Sequence, residues 1–152
     1  PVEYIRFQER ELSRSQRTKL SEFFVDRYGT DFLDEEDRVF ERGEMLLLSS
    51  QDVAHFKLSV EDYTLGIPFG KRLKDGRMLL DHEVAIARGN RATKNRFELN
   101  EEQLKDLLDA KDIDCPKELS GHVLLFFGEL CIGLSLAKDG RLKNNLPRTM
   151  VR

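Results

Sequence analysis

Apolar positions along the chain change their spacing several times, and each change marks an element. In "SRSQRTKLSEFFVDRYG", residues 13–29, Leu20, Phe23, Phe24 and Tyr28 recur at three-to-four spacing. That period predicts an amphipathic helix, opened by a serine cap and closed at Gly29. The run Met45–Leu48 in "ERGEMLLLSS" and the alternation "HFKLSV" at 55–60 predict strands. Next comes "LGIPFGKRLKDGRMLL", with Gly66, Pro68, Gly70 and Gly76 close together. Such a density breaks helices and marks bends between short strands, with a turn at Lys74-Asp75-Gly76. A short helix is expected at 81–90, ended by Gly89. A stronger one spans 99–112, where Asn100 is a good N-cap and Gln103 holds the capping-box position. Finally, "HVLLFF" and "LCIGLSLAKDG" flank Gly128-Glu129 as the arms of a hairpin. The last third is thus mostly strand. Neither repeat nor low-complexity tract interrupts the chain, and a soft boundary falls near 60–64.

Composition fits a folded α+β globule. Of the 152 residues, 39% are hydrophobic and 35% charged, which is enough apolar matter for a core. Cys115 and Cys131 form neither a disulfide framework nor a CxxC pair, so a reducing, cytoplasmic setting is expected. The first ten residues lack the apolar core of a signal peptide. The apolar stretch 122–137 is too short to span a membrane and is interrupted by Gly128 and Glu129.

Net charge is −3, but it is unevenly distributed. Residues 1–65 hold 9 basic and 15 acidic side chains, and residues 98–119 hold 3 and 8. By contrast, residues 66–97 hold 8 basic and 3 acidic, and residues 138–152 hold 5 and 1. Two basic segments therefore stand apart in an acidic chain. Each alone is adequately described as a solvated face. Together they make a patch only if folding brings them to one side.

Concentrated catalytic chemistry is missing. His55, His82 and His122 are not spaced as zinc ligands with each other or with cysteine, and no metal is expected. Cys131 lies in an apolar strand and Cys115 in an acidic loop, neither of which activates a thiol. "LGIPFGKRLKDG" lacks the spacing of a phosphate-binding loop. Glu35-Glu36 and Glu101-Glu102 read as solvated or helix-start charge rather than an acid and base pair.

Two stretches resemble a known family. "GHVLLFFGELCIGLSLAKDGRLKNNLPRTMVR", at 121–152, resembles the end of the PUA-like RNA-binding domain at the C-terminus of RsmF-type ribosomal RNA cytosine-5 methyltransferases. Gly133 takes the place of the family's internal strand glycine, and Gly140, Leu142, Lys143, Asn144, Pro147 and Arg148 those of its ending. Upstream, "LGIPFGKRLKDGRMLLDHEVAIA" resembles the family's glycine-rich segment, basic turn and following His. Gly66, Gly70, Lys71, Gly76, Arg77 and His82 match it. Both stretches together cover about 55 of the 152 positions. The first half is more loosely similar to the small α+β segment that precedes such domains. Neither the family's cofactor loop nor its cysteine motif has a counterpart here.

The resemblance implies an N-terminal α+β segment over 1–61, then a PUA-like mixed β pseudo-barrel with short helices over 62–152. It implies a non-catalytic RNA-binding protein without cofactor, acting on rRNA or tRNA in RNA modification or ribosome biogenesis. A methyltransferase or a ribosomal precursor is the implied partner. The residues expected at RNA are Lys71, Arg72, Lys74, Arg77, His82, Lys138, Arg141, Lys143, Asn144, Asn145 and Arg148. Arg and Lys would hold the phosphates, and Asn144 or Asn145 would read a base edge unless they only shape a turn. Phe69 either stacks on a base or packs in the core. Two other readings stay open. One is a protein-interaction module with an acidic docking surface. The other is a small-ligand-binding relative with a pocket near Lys71, Arg72 and His82.

Overall fold

The computed structural model describes residues 10–50 and 67–144. The expected strand at 55–60, the boundary at 61/62, and Gly66, Asn145, Pro147 and Arg148 lie outside the described residues. The first sheet is antiparallel in chain order: β1 (Arg10–Glu11), β2 (Asp37–Arg42), β3 (Met45–Ser50), β4 (Ile67–Arg72) and β5 (Met78–Leu80). Between β1 and β2 runs α1 (Arg14–Tyr28), and α2 (His82–Arg88) follows β5. The second sheet contains β6 (Arg96–Glu98), β7 (Ile113–Asp114), β8 (Gly121–Phe127), β9 (Leu130–Lys138) and β10 (Arg141–Lys143), in the order β6-β8-β9-β10-β7. β6 lies parallel to β8, and α3 (Glu101–Leu108) connects β6 to β7.

Local sequence accounts for the helix ends. Ser13 and Gln16 exchange side-chain and backbone hydrogen bonds as a capping box, as do Asn100 and Gln103. α3 stops at Leu108, four residues before the expected end. Its last turn tightens, Ala110 turns to φ 61°, and Ile113–Asp114 leaves to pair with β10. Strand pairing thus overrides helical period.

β8 separates two cores. Leu124 and Phe126 face the first, together with Leu20, Phe24, Tyr28, Phe32, Leu46 and Phe69. Val123 and Leu125 face the second, with Leu99, Leu107, Ile113, Ala137 and Leu142. A strand buried on both faces reads as an unbroken apolar run, which explains "HVLLFF". Phe69 has no solvent exposure and sits edge-on to Phe24 at 5.6 Å between centroids, so it packs rather than stacks on a base. Burial of each such ring contributes about 1.5–3 kcal/mol. The glycine-rich segment serves the same packing: a Cβ on Gly70 would lie 2.2 Å from the Leu79 carbonyl oxygen. Among the described residues no helix is long and apolar enough to cross a membrane.

Candidate nucleic-acid interface

Folding sends the two basic segments to different sheets, the first to β4 and β5 and the second to β9 and β10. Most of their cations meet carboxylates there. Lys71 lies 3.6 Å from Glu44, and Arg72 lies 3.1 Å from Glu41, which also accepts from Arg10. Arg141 pairs with Asp114 at 2.6 Å and Lys143 with Asp112 at 3.5 Å. Several carboxylates of the acidic first half are engaged in the same way. Glu11 faces Arg38, while Asp34 and Asp37 face Arg88. Asn144 also turns inward. Its amide nitrogen donates to the Leu107 carbonyl at 2.6 Å, and its backbone N–H donates to Asp112 at 2.8 Å. It caps the end of α3, leaving its second amide N–H and its Oδ1 for another partner.

One member of each segment does meet the other. Arg77, beside the β4–β5 turn, and Lys138, at the end of β9, line one open pocket of about 570 Å³. Lys74 stands exposed on the same turn as Arg77 and pairs with no carboxylate among the described residues. The pocket lies where β8 begins and β9 ends, with Ser120 and Gly121 on one wall and Leu136 and Ala137 beneath. Lys117 and Asp139 complete its rim. Lys71, Arg72, Arg141 and Lys143 do not line it.

Two glycines hold cations at this pocket. The Arg27 guanidinium donates to the carbonyls of Ser120 at 2.6 Å and His122 at 2.8 Å. It lies against Gly121, where a Cβ would come 2.8 Å from Arg27 Nη2. Gly140 supports Lys117 similarly, since a Cβ there would lie 3.3 Å from Lys117 Cγ. At Gly121 and Gly140, φ is +73° and +80°, values that side chains rarely adopt. Lys117 itself sits on a turn in which the Leu119 N–H donates to the Pro116 carbonyl at 3.1 Å.

Burial lowers the His122 pKa below its usual value, and the charges of Arg27, His82 and Arg77 lower it further. His82 opens α2 and accepts from the Leu134 N–H through Nδ1 at 3.4 Å. Arg77 holds Asp75 below the ordinary carboxylate range through its backbone N–H and its guanidinium. Burial raises both thiols, with Asp114 adding to the effect at Cys115, so neither is disposed to act as a nucleophile.

Sequence reasoning missed Lys117 and Arg27. Lys117 belongs to a segment with an acidic total, which hid it. Arg27 lies on the polar side of a helix where nothing local distinguishes it, although Gly121, ninety-four positions later, is what receives it.

Comparison with known proteins finds related sequences and a related fold. Residues 94–152 match the family model described as the methyltransferase RsmF PUA domain. The chain is 28% identical over 144 residues to the ribosomal RNA small subunit methyltransferase F of Shewanella oneidensis, covering 93% of this chain and 30% of that protein. Against the same enzyme of Psychromonas ingrahamii it is 27% identical over 146 residues, covering 92% and 30%. The chain therefore spans about 30% of the length of these curated relatives. Among solved structures, a PUA domain from Aeropyrum pernix K1, crystallised as a tartrate complex, superposes with a TM-score of 0.52 at 14% identity. That match covers 95% of this chain and 80% of the other, and it identifies the α+β architecture as PUA-like.

Proposed function

We propose, on the premise that residues 94–152 form a PUA domain of the RsmF type, that this chain is a non-catalytic RNA-binding module. The observation that carries this reading is the meeting of Arg77 and Lys138, one from each basic segment, in a single open pocket. Cations gathered in a concave site focus the local field and attract phosphates even on a protein of negative net charge. Lys74, on the Arg77 turn, extends the contact. Lys71, Arg72, Arg141, Lys143 and Asn144 are outer contacts that an approaching backbone recruits by exchange with their carboxylate or carbonyl partners, and His82, Asn145 and Arg148 are further contacts of the same reading.

Ribosomal RNA is the first choice of ligand, because it is the substrate class in the relatives' name, and tRNA is the second. The role is to hold and orient RNA in the cytoplasm for a methyltransferase, covalently attached or separate, whose chemistry this chain does not perform. Such modules read shape, 2′-hydroxyls and unpaired bases more than a duplex sequence.

The test is equilibrium binding to a small-subunit rRNA fragment across a salt series. Log affinity is expected to fall linearly with log salt, by about 0.7–0.9 for each phosphate neutralised. Lys138→Ala is expected to weaken binding across sequences and reduce that slope by about 1. Affinity that does not respond to salt contradicts the reading.

A further inference from the structure

We propose that the pocket where β8 begins and β9 ends is a phosphodiester subsite, in which Lys117 and Lys138 supply the charge and Ser120 with Gly121 form the wall. This inference rests on the RNA-binding reading and specifies where within the fold a backbone phosphate is seated. It rests first on which cations remain uncompensated. Lys71, Arg72, Arg141 and Lys143 each face a carboxylate within 4 Å. Lys117 and Lys138 form no such pair with any described residue, and both line one concavity with Arg77, which itself pairs with Asp75 at 2.6 Å. An anion approaching a paired cation must compete with its carboxylate, whereas one approaching Lys117 and Lys138 does not.

The second ground is that the site is built. Lys117 is held by Gly140, whose missing side chain leaves room for the lysine stem, and by a turn tied to the second sheet through the Cys115 N–H and Gly140 carbonyl at 2.9 Å. Beneath the wall, Arg27 occupies the Ser120 and His122 carbonyls, removing negative dipoles that would otherwise oppose an anion. One negative group, Asp139, remains on the rim; it favours a diester with one charge over a phosphate monoester with nearly two.

Shape agrees with a polymer. The pocket is open to solvent, so a phosphate bonded on both sides can enter it without burying the rest of the strand. Leu119 and Leu136, both partly exposed, add apolar lining on which a ribose or base can rest.

The experiment uses the full chain, nitrogen-15 labelled, titrated with oligouridine and separately with inorganic phosphate. Oligouridine is expected to shift the amides of Ser120, Gly121 and Lys138. Lys117→Gln/Lys138→Gln is expected to weaken oligouridine binding about tenfold and to lower the salt slope by about 1.4 for a single strand. Lys19→Gln/Lys105→Gln, which removes the same charge from exposed helix positions, should leave binding unchanged. Gly140→Ala tests the seat rather than the charge and is expected to weaken binding by displacing Lys117. Unchanged affinity in Lys117→Gln/Lys138→Gln, with salt-dependent binding by the parent, overturns the subsite and leaves the RNA reading standing. Salt-independent or absent oligouridine binding by the parent overturns both. Pocket shifts with inorganic phosphate but none with oligouridine overturn the diester assignment in favour of a free-anion site.

Discussion

At the scale of single residues, placement of charge depends on what its neighbours lack. Arg27 and Lys117 are seated by the absent side chains of Gly121 and Gly140. His122 shows the consequence, because its imidazole is partly buried and surrounded by Arg27, His82 and Arg77. All of these disfavour its protonated form, so the folded protein binds this proton more weakly than the unfolded chain, whose imidazole titrates near 6.5. The contribution to stability is therefore full above about pH 6.5 and is lost as pH falls toward the folded pKa. Denaturation at about pH 7.5 and about pH 5.5 should give a higher midpoint at the upper value. His122→Gln is expected to narrow that difference.

At the scale of elements, what was legible depended on whether the cause was local. α1 could be read because its apolar spacing, Ser13 cap and Gly29 stop all lie within it. The β8–β9 hairpin and the turn before Arg77 were legible for the same reason. β6 was not: Arg96-Phe97-Glu98 has no strand pattern of its own and is extended because it pairs parallel to β8. β2 was hidden in a charged stretch, where Val39 and Phe40 are the buried apolar members and Asp37 is buried beside them. Asn144, expected either to read a base edge or to shape a turn, donates to the end of α3 across thirty-seven positions, a contact that no local pattern shows. A helix fixed by its own cap should respond to loss of that cap. Asn100→Ala is expected to cost about 1 kcal/mol in urea unfolding, with little change in m-value.

At the scale of the whole molecule, an acidic chain gathers Arg77, Lys117 and Lys138 at one pocket while many of its other cations pair with carboxylates. Segment totals pointed to Arg77 and Lys138, which the fold brings to one pocket. They did not single out Lys117, averaged away, and could not show that Lys71 and Arg72 pair with Glu44 and Glu41 once the first sheet forms. The candidate interface is accordingly narrower than either basic segment, centred on a seam rather than on a stretch of sequence. Its central claim is where RNA lies. Photocrosslinking the protein to a small-subunit rRNA fragment and mapping the modified peptides tests this directly. The account predicts crosslinks concentrated at 74–77, 117–121 and 136–138; crosslinks confined to β2, β3 and α1, with those peptides untouched, would contradict it.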